Sequence, residues 1–168
     1  MKKVHIVFAL SLLAGLGSLQ TYAQQELPEV TVLAVRYKYL KAVDNAHAPE
    51  PVKLLERKAA SFDVKKADFY EDDYDNYFVS FYIPEGEILA TYDNNGKLLR
   101  TAEKYKDIAL PQQVREAVIK RFPQWGITKD VYLVNFFQDQ NAKKVYKLIL
   151  QNGDKRLRIK VDDKGEFI

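Results

Sequence analysis

The amino-acid sequence predicts an α+β fold: two tandem helix-then-β-hairpin repeats forming one antiparallel sheet, with the helices packed on one of its faces. The first observation behind this is repetition. A Pro-started helical stretch, Pro51 to Phe62, precedes Tyr77 to Ile83, a Pro84-Glu85-Gly86 turn, Glu87 to Tyr92 and the turn Asp93-Asn94-Asn95-Gly96. About 60–70 residues on, Pro111 to Phe122 precedes Val145 to Gln151, an Asn152-Gly153 turn, Lys155 to Val161 and Asp162-Asp163-Lys164-Gly165. The second is alternation: in the last strand Leu157, Ile159 and Val161 alternate with Arg156, Arg158 and Lys160, so one face is core and the other wet. The third is that the apolar faces of each half are too narrow for separate cores, so the halves pack jointly.

Residues 24–29 form a loose start. Val30 to Tyr39 reads as a strand, with Leu33, Val35, Tyr37 and Tyr39 on one side and Arg36 and Lys38 on the other. Asp44 to Glu50 is a short polar connection. The first helix places Val52, Leu55, Ala59 and Phe62 at helical spacing, with proline near its start where the missing N–H does no harm. Ala67 to Tyr74 reads as a strand running into an acidic turn, and Tyr77 to Ile83 and Glu87 to Tyr92 as a hairpin. Thr101 to Ile108 reads as a charged connection. The second helix carries Val114, Ala117, Val118 and Phe122 on its apolar face and stops at Pro123, because the residue before proline is pushed from helical angles. Val131 to Phe137 then makes a strand ahead of the last hairpin, whose Asn152-Gly153 suits a tight turn with positive φ.

Residues 1–23 have the parts of an export signal. Lys2 and Lys3 precede an apolar run from Val4 to Leu19, and Thr21-Tyr22-Ala23 offers a cleavage point before Gln24. The run is shorter than the ~20 apolar residues that span a bilayer. The expectation is a periplasmic or secreted protein with no integral membrane segment after cleavage. It divides into the signal (1–23), an N-terminal extension with one strand (24–47) and a domain of two repeats (48–168, as 48–101 and 108–168).

Without Lys2 and Lys3, the chain's 26 basic residues become 24 against 23 acidic ones. Such a balance gives no electrostatic reason for nucleic-acid binding, which wants clustered excess Lys and Arg. Cysteine is absent, so disulfides, thiolate catalysis and Cys-based zinc sites are excluded. His47 is the one histidine after the signal; with no Gly-x-Ser-x-Gly elbow it reads as a solvated loop residue. Zinc hydrolysis needs two or three histidines. The cluster Glu71-Asp72-Asp73-Tyr74-Asp75 suggests a hard-cation site but lacks the EF-hand spacing and its glycine, so it reads as a solvated turn. The two Asp-x-x-Gly segments likewise read as turn chemistry. No phosphate-gripping glycine motif occurs. These readings leave no catalytic residue, cofactor or metal to assign.

Two features point to recognition. Ten tyrosines follow the signal, many on strands, and Phe78, Ser80 and Tyr82 share one side of theirs. Arg156, Arg158 and Lys160 form a basic stripe. These six are the candidate partner-binding residues.

The segments Tyr77-Phe78-Val79-Ser80-Phe81, Ala90 to Lys97, Leu110 to Val114 with Phe122-Pro123, Tyr146-Lys147-Leu148 and Val161 to Gly165 resemble the PepSY-like, β-lactamase-inhibitor-protein-like periplasmic family of Bacteroidetes over about residues 48–168. The resemblance implies helices on a curved antiparallel sheet whose other face is free to bind, and it transfers no catalytic residue. Similar sequences are sometimes labelled nicotinate-nucleotide adenylyltransferase, a label to which the residues lend no chemistry. The expected function is a non-catalytic module that recognises an envelope or secreted protein or peptide, with a small-ligand or divalent-cation carrier as the alternative.

Overall fold

The computed structural model describes residues 28–44 and 48–168, residues 28–34 by backbone alone. The expected export signal and His47 lie outside them. Helix α1 spans Pro28–Val43 and α2 spans Glu50–Ser61, followed by a 3-10 turn at Val64–Lys66. Strands β1 (Asn76–Ile83), β2 (Gly86–Asp93) and β3 (Leu98–Lys106) lead to helix α3 (Gln112–Arg121). Strands β4 (Gly126–Phe137), β5 (Lys143–Asn152) and β6 (Lys155–Asp162) complete the chain. The strands form one six-stranded sheet in the order β1-β2-β3-β4-β5-β6, every pair antiparallel. Among the described residues no helix is long and apolar enough to cross a membrane.

The strand expected over 30–39 is a helix. Val35, Tyr39 and Val43, four residues apart and therefore about one per turn, are buried among the described side chains of α1, whereas Tyr37 is 72% exposed. The alternation that suggested a strand counted Tyr37 as inward; helical spacing discards it. Two further expectations fail. Residues 67–74 are turns and bends rather than a strand. The supposed connection from Thr101 is most of β3, where Thr101, Glu103 and Tyr105 point inward and Ala102, Lys104 and Lys106 outward. A buried threonine and glutamate hid that strand from a hydrophobic count. Helices α2 and α3 are thus each followed by three strands rather than by a two-stranded hairpin.

The two Asp-x-x-Gly turns have one geometry. Asp93 Oδ1 accepts from the amides of Asn95 and Lys97, both at 2.9 Å, and Asp162 Oδ1 from those of Lys164 and Glu166 at 2.9 and 2.8 Å. Gly96 and Gly165 take the positive φ that closes each.

One sheet face carries the core. Tyr77 and Phe81 of β1, Ile88, Ala90 and Tyr92 of β2, Tyr132, Val134 and Phe136 of β4, and Tyr146, Leu148 and Leu150 of β5 are buried there. Helix α2 meets them with Val52, Leu55 and Ala59, and Tyr92 donates to the Ala59 carbonyl at 2.7 Å. Helix α1 adds Tyr39, edge-on to Phe136 at 5.1 Å. Each such ring contributes about 1.5–3 kcal/mol through burial. Helix α3 buries Val114 and Val118, and Gly165 approaches so closely that a Cβ there would stand 2.9 Å from the Gln113 carbonyl oxygen.

Candidate recognition surface on the open sheet face

Strand pairing fixes which side chains share the face opposite the helices. Phe78 pairs with Thr91, Thr91 with Arg100, and Arg100 with Phe137. One rung along stand Ser80, Leu89, Ala102, Asn135 and Lys143, then Tyr82, Glu87, Lys104, Leu133, Val145 and Asp162. Lys106, Val131, Lys147 and Lys160 make the next, with Lys129, Ile149 and Arg158 beside it and Gln151 and Arg156 at the end. Phe78 and Tyr82 are 64% and 66% exposed, and Leu89 and Phe137 are exposed with them. These four apolar side chains stand in water on the face that the helices leave open.

All six residues singled out from the sequence therefore fall on the uncovered face. They do not form one patch. Phe78, Ser80 and Tyr82 stand on β1 and Arg156, Arg158 and Lys160 on β6, the two outer strands, five spacings or about 24 Å apart. Six strands about eight residues long present roughly 700 Å², close to the ~800 Å² one partner contributes to a standard interface.

The face is strongly basic. It carries Arg100, Lys104, Lys106, Lys129, Lys143, Lys147, Arg156, Arg158 and Lys160 against Glu87, Asp93 and Asp162. Asp93 and Asp162 cap their own turns, and Glu87 is 3.9 Å from Lys104 Nζ. A groove of about 570 Å³ crosses the β3–β6 side, with Val131 and Ile149 as its floor and Lys106, Lys129, Lys147, Arg158 and Lys160 around it. Asp107, held at φ 52, and Asp130 also line it, and Asp130 accepts from the Ile108 amide at 3.2 Å. The groove cations on β3, β4 and β5 were missed in the sequence. For Lys147 the signal was its alternation with Tyr146 and Leu148 inside β5.

Beneath the helices lies a second polar group of residues. Glu103 is 3% exposed and accepts from Tyr39 Oη at 2.9 Å, Thr101 Oγ1 at 2.7 Å and Tyr105 Oη at 3.0 Å. Glu56 of α2, also 3% exposed, keeps one carboxylate oxygen without a partner, as does the Tyr132 hydroxyl. Burial first, and Glu103 second, push the Glu56 carboxyl up to about 9, with Lys144 opposing. Burial also raises Glu103, against its three donors. Glu56 is thus protonated at neutral pH. It forms part of the lining of a cleft of about 310 Å³ between α1 and α2, beside Tyr37, Lys53 and Arg57. Sequence reasoning overlooked this pair. Glu56 sits four residues after Val52, on the stripe that buries α2, and that position was its signal. The acidic residues of 71–75 remain on an exposed loop, and no group of three or more metal-ligating side chains gathers among the described residues.

No protein-family model matches the chain, and no curated protein does either. Among solved structures it is similar to a DUF2874 family protein from Bacteroides ovatus, at 13% identity and TM-score 0.36 over 74% of this chain and 86% of that one. A DUF2874 family protein from Bacteroides uniformis matches at 14% identity and TM-score 0.37, over 72% and 86% of the two chains. A BLIP-like protein from Bacteroides fragilis matches at 16% identity and TM-score 0.34, over 80% and 82%.

Proposed function

We propose that this chain is an exported, periplasmic or secreted, non-catalytic module that docks a protein partner on the open face of its sheet. The observation that carries the reading is that face itself: exposed Phe78, Tyr82, Leu89 and Phe137 share it with cations that outnumber its carboxylates, while the helices cover the other side. Rigid aromatic anchors with a charged rim are what protein interfaces use.

The test is photocrosslinking in the cells that make the protein. A benzophenone amino acid at Phe78, Tyr82 or Arg158 gives adducts of discrete mass, and one at Leu54, exposed on α2, gives none. Equal labelling from both sides, or none from the sheet, sinks the proposal.

A further inference from the structure

Resting on that docking reading, we infer that the groove across β3–β6 receives an acidic segment of the partner, an extended peptide whose aspartate or glutamate side chains flank an aliphatic one. The groove has two parts that call for two chemistries. Its floor, Val131 and Ile149, is aliphatic and half-buried. Around the floor stand Lys106, Lys147 and Lys160 in one rung and Lys129 and Arg158 in the next.

None of these five cations forms an ion pair among the described residues. Lys147 and Lys160, on adjacent strands about 5 Å apart, lie within a Debye length of about 8 Å and repel, so a carboxylate seated between them is attracted by both. The five cations outnumber Asp107 and Asp130 in the groove lining. The cations spread over three strand spacings, about 14 Å, too broad for one small anion. In an extended peptide successive side chains point to opposite sides and same-side residues recur about every 7 Å, so an aliphatic side chain set on the floor leaves its carboxylate neighbours at the level of the lysine heads that rise around it.

Nucleic acid fits less well. Single strands are held by bases stacked on rings inside the basic groove, and this floor has no ring. The exposed Phe78 and Tyr82 stand on β1, outside it. A lipid surface fits less well too, because the apolar residues lie below the lysines instead of projecting past them.

The probe is a short fluorescent peptide alternating glutamate with valine, titrated into the full chain. Its comparators are the same peptide with glutamine for glutamate, oligo-dT and phosphatidylglycerol vesicles. The glutamate peptide binds saturably, loses affinity with added salt, and shifts the amide resonances of Val131 and Ile149. The triple variant Lys106→Glu, Lys147→Glu, Lys160→Glu weakens it at least about tenfold, the corresponding arginine triple keeps it, and Lys58→Glu on α2 leaves it unchanged. Circular dichroism checks that the variants fold. Equal binding of the glutamine peptide, indifference to the charge-reversed triple, or tighter binding of oligo-dT or vesicles overturns the inference. If sheet-face crosslinks persist while the glutamate peptide fails, the acidic chemistry falls and the docking face stands. If the peptide binds but the sheet face never crosslinks, the docking reading falls with it.

Discussion

Glu103 draws three hydroxyl donors, while Glu56, its buried neighbour across the helix–sheet boundary, keeps one carboxylate oxygen with none. Burial raises both carboxyls, Glu56 on α2 and Glu103 on β3, where the helical layer meets the sheet.

The Glu56 carboxyl rises from an ordinary 4.5 to about 9 in the folded protein. A group whose folded value is raised adds stability below its unfolded value and loses it as pH rises through the folded one. Thermal denaturation therefore gives a Tm that falls between about pH 5 and pH 9, by an amount equivalent to a few kcal/mol. Glu56→Gln, neutral at every pH, flattens that slope. A Tm that is level over this window in the native chain contradicts the protonated assignment.

Gly86 begins β2 where β3 passes close. A Cβ there would meet the Lys104 carbonyl oxygen at 2.4 Å and Tyr105 Cδ1 at 2.5 Å. Gly86→Ala costs about 2–3 kcal/mol in urea denaturation, by overpacking. Gly153→Ala has open space and only its φ of 56° against it, and costs about 1 kcal/mol.

Phe78 and Phe81 lie three residues apart on opposite faces of β1. Phe81→Ala empties a core site and lowers stability by about 3–5 kcal/mol. Phe78→Ala changes it by less than about 0.5 kcal/mol but reduces partner crosslinking from Tyr82. Comparable stability losses at the two positions would mean the open face is covered.

The two later helices and the strands flanking tight turns were legible because local chemistry decides them. Pro51 and Pro111 open helices, and the Asp-x-x-Gly and Asn-Gly turns reverse strands. Helix α1 was not legible, since its tyrosines and valines favour strands locally and only the packing of Val35, Tyr39 and Val43 on the sheet selects the helix. Strand β3 escaped because its inward side is Thr101, Glu103 and Tyr105, a polar set whose sense appears only when Tyr39 closes over it. The candidate face was half visible. Alternation within β1 and β6 reveals which residues point together, but the middle cations join them only through register, which is a long-range property.

In this sheet each strand lies next to the one before it in sequence, so most pairings close short loops at small entropic cost. Assembly can zip outward from any tight turn, and the slow step is closing the long α3-bearing link between β3 and β4. That link brings Lys106 of β3 beside Val131 of β4, so the groove is finished only when the two halves of the sheet meet, and a chain caught before that moment has the floor and four of the cations but not the β3 side.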